Sequence, residues 1–335
     1  MAGYNTIRGL RVKYLSADPA GAEDGQVWYN STTGNLRVDG IALAGSWAAG
    51  GNLNTGRGEM GGCGIQTAGL AYGGNSSTAA SNATEEYNGT SWSEQNNLAL
   101  ARSFMGSTGT QTAGLAIGGM IGAPTYASQT AVELYNGTSW TGITALSSAK
   151  ANSTAFGTST AAYSLAGQDG AASLVNVEFY NGSSWSEGPN VNTGRNDAAS
   201  AGLGNSGMLV GGYAPSVGGR VANTEEWNGS AWSNATAYPL VLNQLGGSGS
   251  SNTSAVFFAG DSQPHPSPPK LNTANVYDGT SWTATGSLAR VNGQMGTSKG
   301  TQTALSFGGN GPPTFKVETE EFTPPGTIIK NLSTS

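Results

Sequence analysis

The 335-residue chain holds 53 glycines, and only 10% of its residues are charged. Its net charge of −6 argues against a nucleic-acid partner, because binding phosphate needs a positive face. A single cysteine, Cys63, excludes an internal disulfide, and abundant Gly, Ser, Thr and Asn leave little that could form helices.

Residues 1–44 read as an N-terminal segment. Its opening, Met1 to Arg8, lacks the apolar core of a secretion signal, and no run in the chain is long enough to span a membrane. The expectation is a protein made in a cytoplasm, without membrane insertion. Ala22 to Val38 reads as a hairpin, with strands near 26–30 and 35–38 around a Ser-Thr-Thr-Gly turn.

From residue 45 to 323 one unit recurs. It is plainest at Thr84-Glu85-Glu86-Tyr87-Asn88-Gly89-Thr90-Ser91-Trp92, and it returns up to Trp140, Trp185, Trp232 and Trp282. A sixth copy starts at Thr319-Glu320-Glu321-Phe322 and stops at Pro324-Pro325 without a tryptophan, while Trp47 stands alone at the other end. Each unit reads as four strands. The second ends in paired glycines (Gly73-Gly74, Gly118-Gly119, Gly211-Gly212, Gly308-Gly309), weakened to Ala166-Gly167 and Ala259-Gly260. Asn-Gly or Asp-Gly then joins the third to the fourth as a tight hairpin, whose central residues need positive φ. Periods of 40 to 50 residues built from short strands indicate a β-propeller. An open ring would leave two unpaired edges, so Trp47 is expected on the strand that completes the last blade. The fold expected is thus all-β: a six-bladed propeller of four-stranded blades, preceded by a small N-terminal hairpin and followed by a tail at 324–335.

Paired glycines after an apolar strand, then tyrosine, then tryptophan resemble the kelch family of propellers over residues 45 to 323. That resemblance implies a fold and little about function, since kelch propellers serve enzymes, adaptors and structural proteins. Asp24-Gly25-Gln26-Val27-Trp28-Tyr29-Asn30, followed by Thr33-Gly34, resembles a short module of tail-fibre and other virion proteins of bacteriophages. It implies a virion component made in a host cytoplasm, with Trp28 and Tyr29 on an attachment hairpin. Its partners would be other virion proteins, further copies of itself, or a host-surface glycan.

Two charge columns accompany the repeat. Arg57, Arg102, Lys150, Arg195, Leu242 and Arg290 follow the tryptophans, and Glu85, Glu133, Glu178, Glu225, Asn275 and Glu320 precede the aromatics. The unit that has Leu242 in place of a base has Asn275 in place of an acid. Matched loss implies base–acid pairs within blades; the alternative is a cation ring that binds an anion. Catalysis finds little footing: the metal site of kelch-type copper oxidases needs two histidines, and this chain has only His265, in a proline-rich loop. Cys63 reads as a buried, inert thiol. Neither an enzyme nor a cofactor is expected. Loops between second and third strands vary while the frame repeats, so they are the expected contact face, with Tyr126, Tyr213, Arg220, His265, Lys270 and Phe315 as contacts. The function expected is a non-enzymatic virion protein presenting these loops, the alternative being a free lectin-like propeller or adaptor.

Overall fold

The computed structural model describes residues 12–19, 26–39, 44–76, 79–122, 125–170, 172–262, 270–311, 314–325 and 329–331. His265 and the Asp24-Gly25 start of the N-terminal module lie outside them. The described residues divide into two compact units, Ser46–Thr323 and Met1–Gly45 with Pro324–Ser335.

In the larger unit each repeat becomes one antiparallel sheet. Sheets I to IV cover residues 61–95, 106–143, 154–188 and 199–234, with four strands each in chain order. Sheet V, residues 242–285, gains a two-residue strand, Leu242–Asn243. Sheet VI combines three strands within 296–323 with Ser46–Gly50, which pairs Thr319–Thr323 in the register Phe322 to Trp47. First strands begin four residues past the basic column, at Gly61 and Gly106 for example. They pack against one another from sheet I through sheet VI and back to sheet I, a closed cycle that makes this unit a multi-bladed β-propeller.

Side-chain chemistry explains the repeat. In every sheet an aromatic on the third strand lies opposite a tryptophan on the fourth: Tyr87–Trp92, Tyr135–Trp140, Tyr180–Trp185, Trp227–Trp232, Tyr277–Trp282 and Phe322–Trp47. Their ring centroids lie 4.6 to 5.6 Å apart. The cores form between sheets: Leu53, Met60, Tyr87 and Trp92 pack with Leu305 and Phe307 of sheet VI. The second glycine of each pair is obligatory, because at Gly74 (φ +92°) a Cβ would stand 2.5 Å from the Gly58 carbonyl oxygen. The first position tolerates Ala166 and Ala259 in the left-handed region, at φ 52° and 58°. The Asn-Gly turns differ from the expected tight hairpin. Four residues, 88–91, join the strands, only Gly89 has positive φ, and Asn88 serves through its side chain, whose Oδ1 accepts from the Thr90 and Ser91 N–H groups at 2.9 Å.

The smaller unit is a sheet of Lys13–Leu15, Val27–Asn30, Asn35–Asp39 and Ile329–Asn331. Within the expected tail, Ile329–Asn331 forms a strand that pairs with the hairpin. Trp28 is fully buried and its Nε1 donates to Asp18 at 3.0 Å, so it holds this sheet together instead of offering a contact. Tyr29 packs at 4.8 Å on Tyr14, which is exposed.

Candidate functional site

Four base–acid pairs form inside sheets I to IV: Arg57–Glu85 at 2.8 Å, Arg102–Glu133 at 3.0 Å, Lys150–Glu178 at 3.5 Å and Arg195–Glu225 at 2.5 Å, all buried. The bases also donate to carbonyls, as Arg102 does to Gly118 and Ala131. Burial lowers the arginines' pKa, and the paired glutamates oppose that shift. In sheet VI the expected Arg290–Glu320 pair is replaced. Arg290 lies half exposed and pairs with Glu318, while Asn292 fills the basic position, donating to Gly308 at 2.8 Å as Arg57 does to Gly73. Glu320 keeps the backbone contact of its column, accepting from Ala289 N–H at 2.7 Å. Burial pushes its pKa up, opposed by the N–H groups of Ala289 and Arg290 and by the charge of Arg290.

Two residues beyond the basic column lies a feature that side-chain types conceal. Glu59, Phe104, Asn152, Asp197, Gln244 and Gln294 all adopt left-handed backbone, φ 51° to 59°. Each donates its N–H to the carbonyl of the corresponding residue in the preceding sheet, at 2.7 to 3.2 Å, and Glu59 donates to Gln294. The six bonds close a circle. Non-glycine residues in this region carry about 1 kcal/mol or more of strain each, which the circle must offset. Together the six rim an axial cavity of about 90 Å³ floored by Met60, Met105, Leu245 and Met295.

Electrostatics set this rim apart. Burial raises Glu59 to about 7 and Asp197 to about 6, partly opposed by hydrogen bonds from Asn75 and Asn152. Asn152 Nδ2 donates to Asp197 at 2.7 Å, while Asn75 Nδ2 donates to Glu59 Oε2. Carboxyls that titrate near neutrality can both donate and accept hydrogen bonds. Among the described residues no cluster of three or more His, Cys, Asp and Glu is placed to hold a metal ion.

Beside the axis lies a larger groove of about 790 Å³. Phe104 borders both cavities, and Tyr126 and Phe315 bring aromatic rings to the groove from loops of sheets II and VI, with Asn75, Ser76, Ser103 and Thr125 supplying polar groups. Phe315 packs close to Gly58, where an added Cβ would stand 2.9 Å from its ring. Tyr213 is exposed, while Arg220 and Lys270 are held by other polar groups. Tyr213 lies opposite Arg220 in a two-stranded hairpin, Arg220 Nε donates to Asn243 at 2.7 Å, and Lys270 pairs with Asp261 at 2.8 Å.

One buried cation escaped the sequence reading. Lys299 lies where the first strand of sheet VI has ended after two residues, and its Nζ reaches the Ser200 carbonyl of sheet IV at 3.1 Å. Among the described residues no carboxylate pairs with it, and burial lowers its pKa from 10.5 to about 8. Below pH 8 the folded state therefore bears the whole desolvation cost, which is relieved as pH rises from 8 to 10.5. Lys299→Met is expected to stabilise the protein at about pH 7 by roughly 3 kcal/mol, a gain that fades in alkali. A melting temperature unchanged or lowered at neutral pH refutes this. Cys63 is likewise buried, and its thiol is pushed up to about 12, the state of an unreactive packing residue.

The closed cycle of sheets around an axial cavity defines the chain as a multi-bladed β-propeller. Its fold is similar to that of the solved "Structure of YjhT", with a TM-score of 0.67 and 14% identity over 84% of this chain and 99% of that one. No protein-family model and no curated protein matches the sequence.

Proposed function

We propose that this chain is a kelch-type propeller of a bacteriophage particle, displayed on its tail, baseplate or capsid surface, which uses the groove to hold an uncharged glycan without catalysis. The groove carries this reading: Phe104, Tyr126 and Phe315 offer ring faces, amides and hydroxyls stand between them, and its described lining contains no charged side chain. Sugar rings present apolar faces and hydroxyl edges, and aromatic groups on a rigid frame bind such shapes at low entropic cost. The kelch assignment is supported by the paired glycines and the tyrosine–tryptophan pairs, and the virion setting by the N-terminal module and the sparse charge. Other virion proteins or further copies of the chain are the partners proposed for the N-terminal segment.

Replacing both Tyr126 and Phe315 with alanine is expected to lower adsorption of particles to host cells about tenfold, in line with the loss of two stacking contacts. Tyr126 is 64% exposed, so Tyr126→Ala alone should leave the melting temperature nearly constant, whereas Phe315→Ala also gives up packing against Gly58 and should lower it modestly. Adsorption equal to wild type overturns the glycan reading. Antibody labelling that finds the protein free and absent from particles would instead favour a lectin-like propeller, which the groove fits equally well.

A further inference from the structure

The axial rim and the groove meet at one hydrogen bond. Asn75 lines the groove, and its Nδ2 donates to Glu59 Oε2 on the rim. Its backbone is clamped to Gly58 by N–H to carbonyl bonds of 2.8 and 3.0 Å in both directions, so the side-chain amide is its remaining freedom. The same arrangement recurs sixteen residues apart in two other sheets: Gln168 Nε2 donates to Asn152 Oδ1 at 3.1 Å, and Asn310 Nδ2 to Gln294 Oε1 at 3.3 Å. In those two the acceptor is a carboxamide, which cannot take up a proton near neutral pH. In sheet I alone of the three the acceptor is a carboxyl.

We propose that Glu59 is a proton-sensing positioning residue for the groove. As a carboxylate it binds Nδ2 of Asn75 and leaves Oδ1, an acceptor, for a ligand. As a carboxylic acid it donates its O–H to Oδ1, the amide turns over, and Nδ2, a donor, is left for the ligand instead. No bond other than these hydrogen bonds changes, and the proton comes from water. Burial places the titration of Glu59 at about 7, within reach of modest changes in surroundings. The charged groups that act on it are Asp197, which raises its affinity for a proton, and Lys270, which lowers it. Asp261 and Arg220 act on Asp197 in turn, with opposite signs. Glu59 does not line the groove; it acts through Asn75.

The control variant is Glu59→Gln, which copies the Gln294–Asn310 pair already present in sheet VI and should fold. This inference rests on the groove being the recognition site, and the experiment separates the two. The side-chain amide resonances of Asn75 would be followed by NMR across roughly pH 5.5 to 8.5, alongside binding of an array of neutral oligosaccharides to wild type and variant. The expected result is a shift of the Asn75 amide signals, absent in Glu59→Gln, and a change of about fivefold in oligosaccharide affinity over that range in wild type only. Asn75 signals that do not titrate, or an affinity change that persists in Glu59→Gln, overturn the proposal. If no neutral oligosaccharide binds at either pH, the glycan reading fails and the Asn75 titration alone decides whether the switch exists.

Discussion

Deleting Ser46–Gly50 is expected to abolish cooperative folding of the propeller instead of fraying one sheet. That strand supplies the whole outer edge of sheet VI, pairing residue by residue from Thr319–Gly50 to Thr323–Ser46. Trp47 also packs on Phe322 at 5.1 Å and on Phe258 of sheet V at 4.7 Å. Removing a tryptophan from a packed site costs about 3 to 5 kcal/mol, and each lost ladder bond adds about 1 kcal/mol, against a total stability of about 5 to 15 kcal/mol. Thr319–Thr323 would then be a bare edge, free to pair with other molecules. The damage should spread to sheet I, because Trp92 Nε1 donates to Thr319 at 2.9 Å and Tyr87 O–H to Glu321 at 2.5 Å. Thermal melting with size-exclusion chromatography checks this. A deletion variant that stays monodisperse with the wild-type melting temperature would show that the ring is closed by other means.

Arg102→Ala and Glu133→Ala are each expected to destabilise by about 3 to 5 kcal/mol, since either leaves one charge buried without its partner. The double variant should cost clearly less than the sum. A sharper form copies the molecule itself: sheet V has Leu242 and Asn275 at these positions, with Asn275 Nδ2 donating to the Tyr238 hydroxyl at 2.9 Å. Arg102→Leu with Glu133→Asn, combined with Leu98→Tyr to supply the hydroxyl that Tyr238 gives Asn275, should therefore recover most of what either alanine loses, though Gly118 and Ala131 would forfeit their bonds to the guanidinium. Denaturant melts of the four proteins yield the coupling energy. Additive losses would mean that the two side chains act independently.

The repeat was legible because backbone geometry restricts residue types at the same places in every unit. A left-handed residue pressed against a neighbouring carbonyl must be glycine, as at Gly74, and the cross-strand ring pair needs an aromatic opposite tryptophan. Burial of a charge also leaves a mark in sequence, which is why Leu242 and Asn275 vary together. Counting ten residues forward from tryptophan reaches Asn292 in the last unit, as it reaches Arg57 and Arg102 in the first two; supposing a two-residue deletion there, so as to keep a base in the column, misplaced the position at Arg290, and the hydrogen bond from Asn292 to Gly308 sets the true register. Trp28 shows the opposite limit, since its motif was visible but its burial was not. The axial rim had no signature at all. Its six positions share a backbone conformation and a circle of N–H to carbonyl bonds, and those place no demand on side-chain chemistry, so Glu, Phe, Asn, Asp and Gln all occupy it. The groove likewise joins Asn75, Tyr126 and Phe315 from three separate repeats. Only closure of the ring brings sheet VI beside sheet I, because that adjacency depends on contacts between the two ends of the propeller and on no local preference of the residues involved.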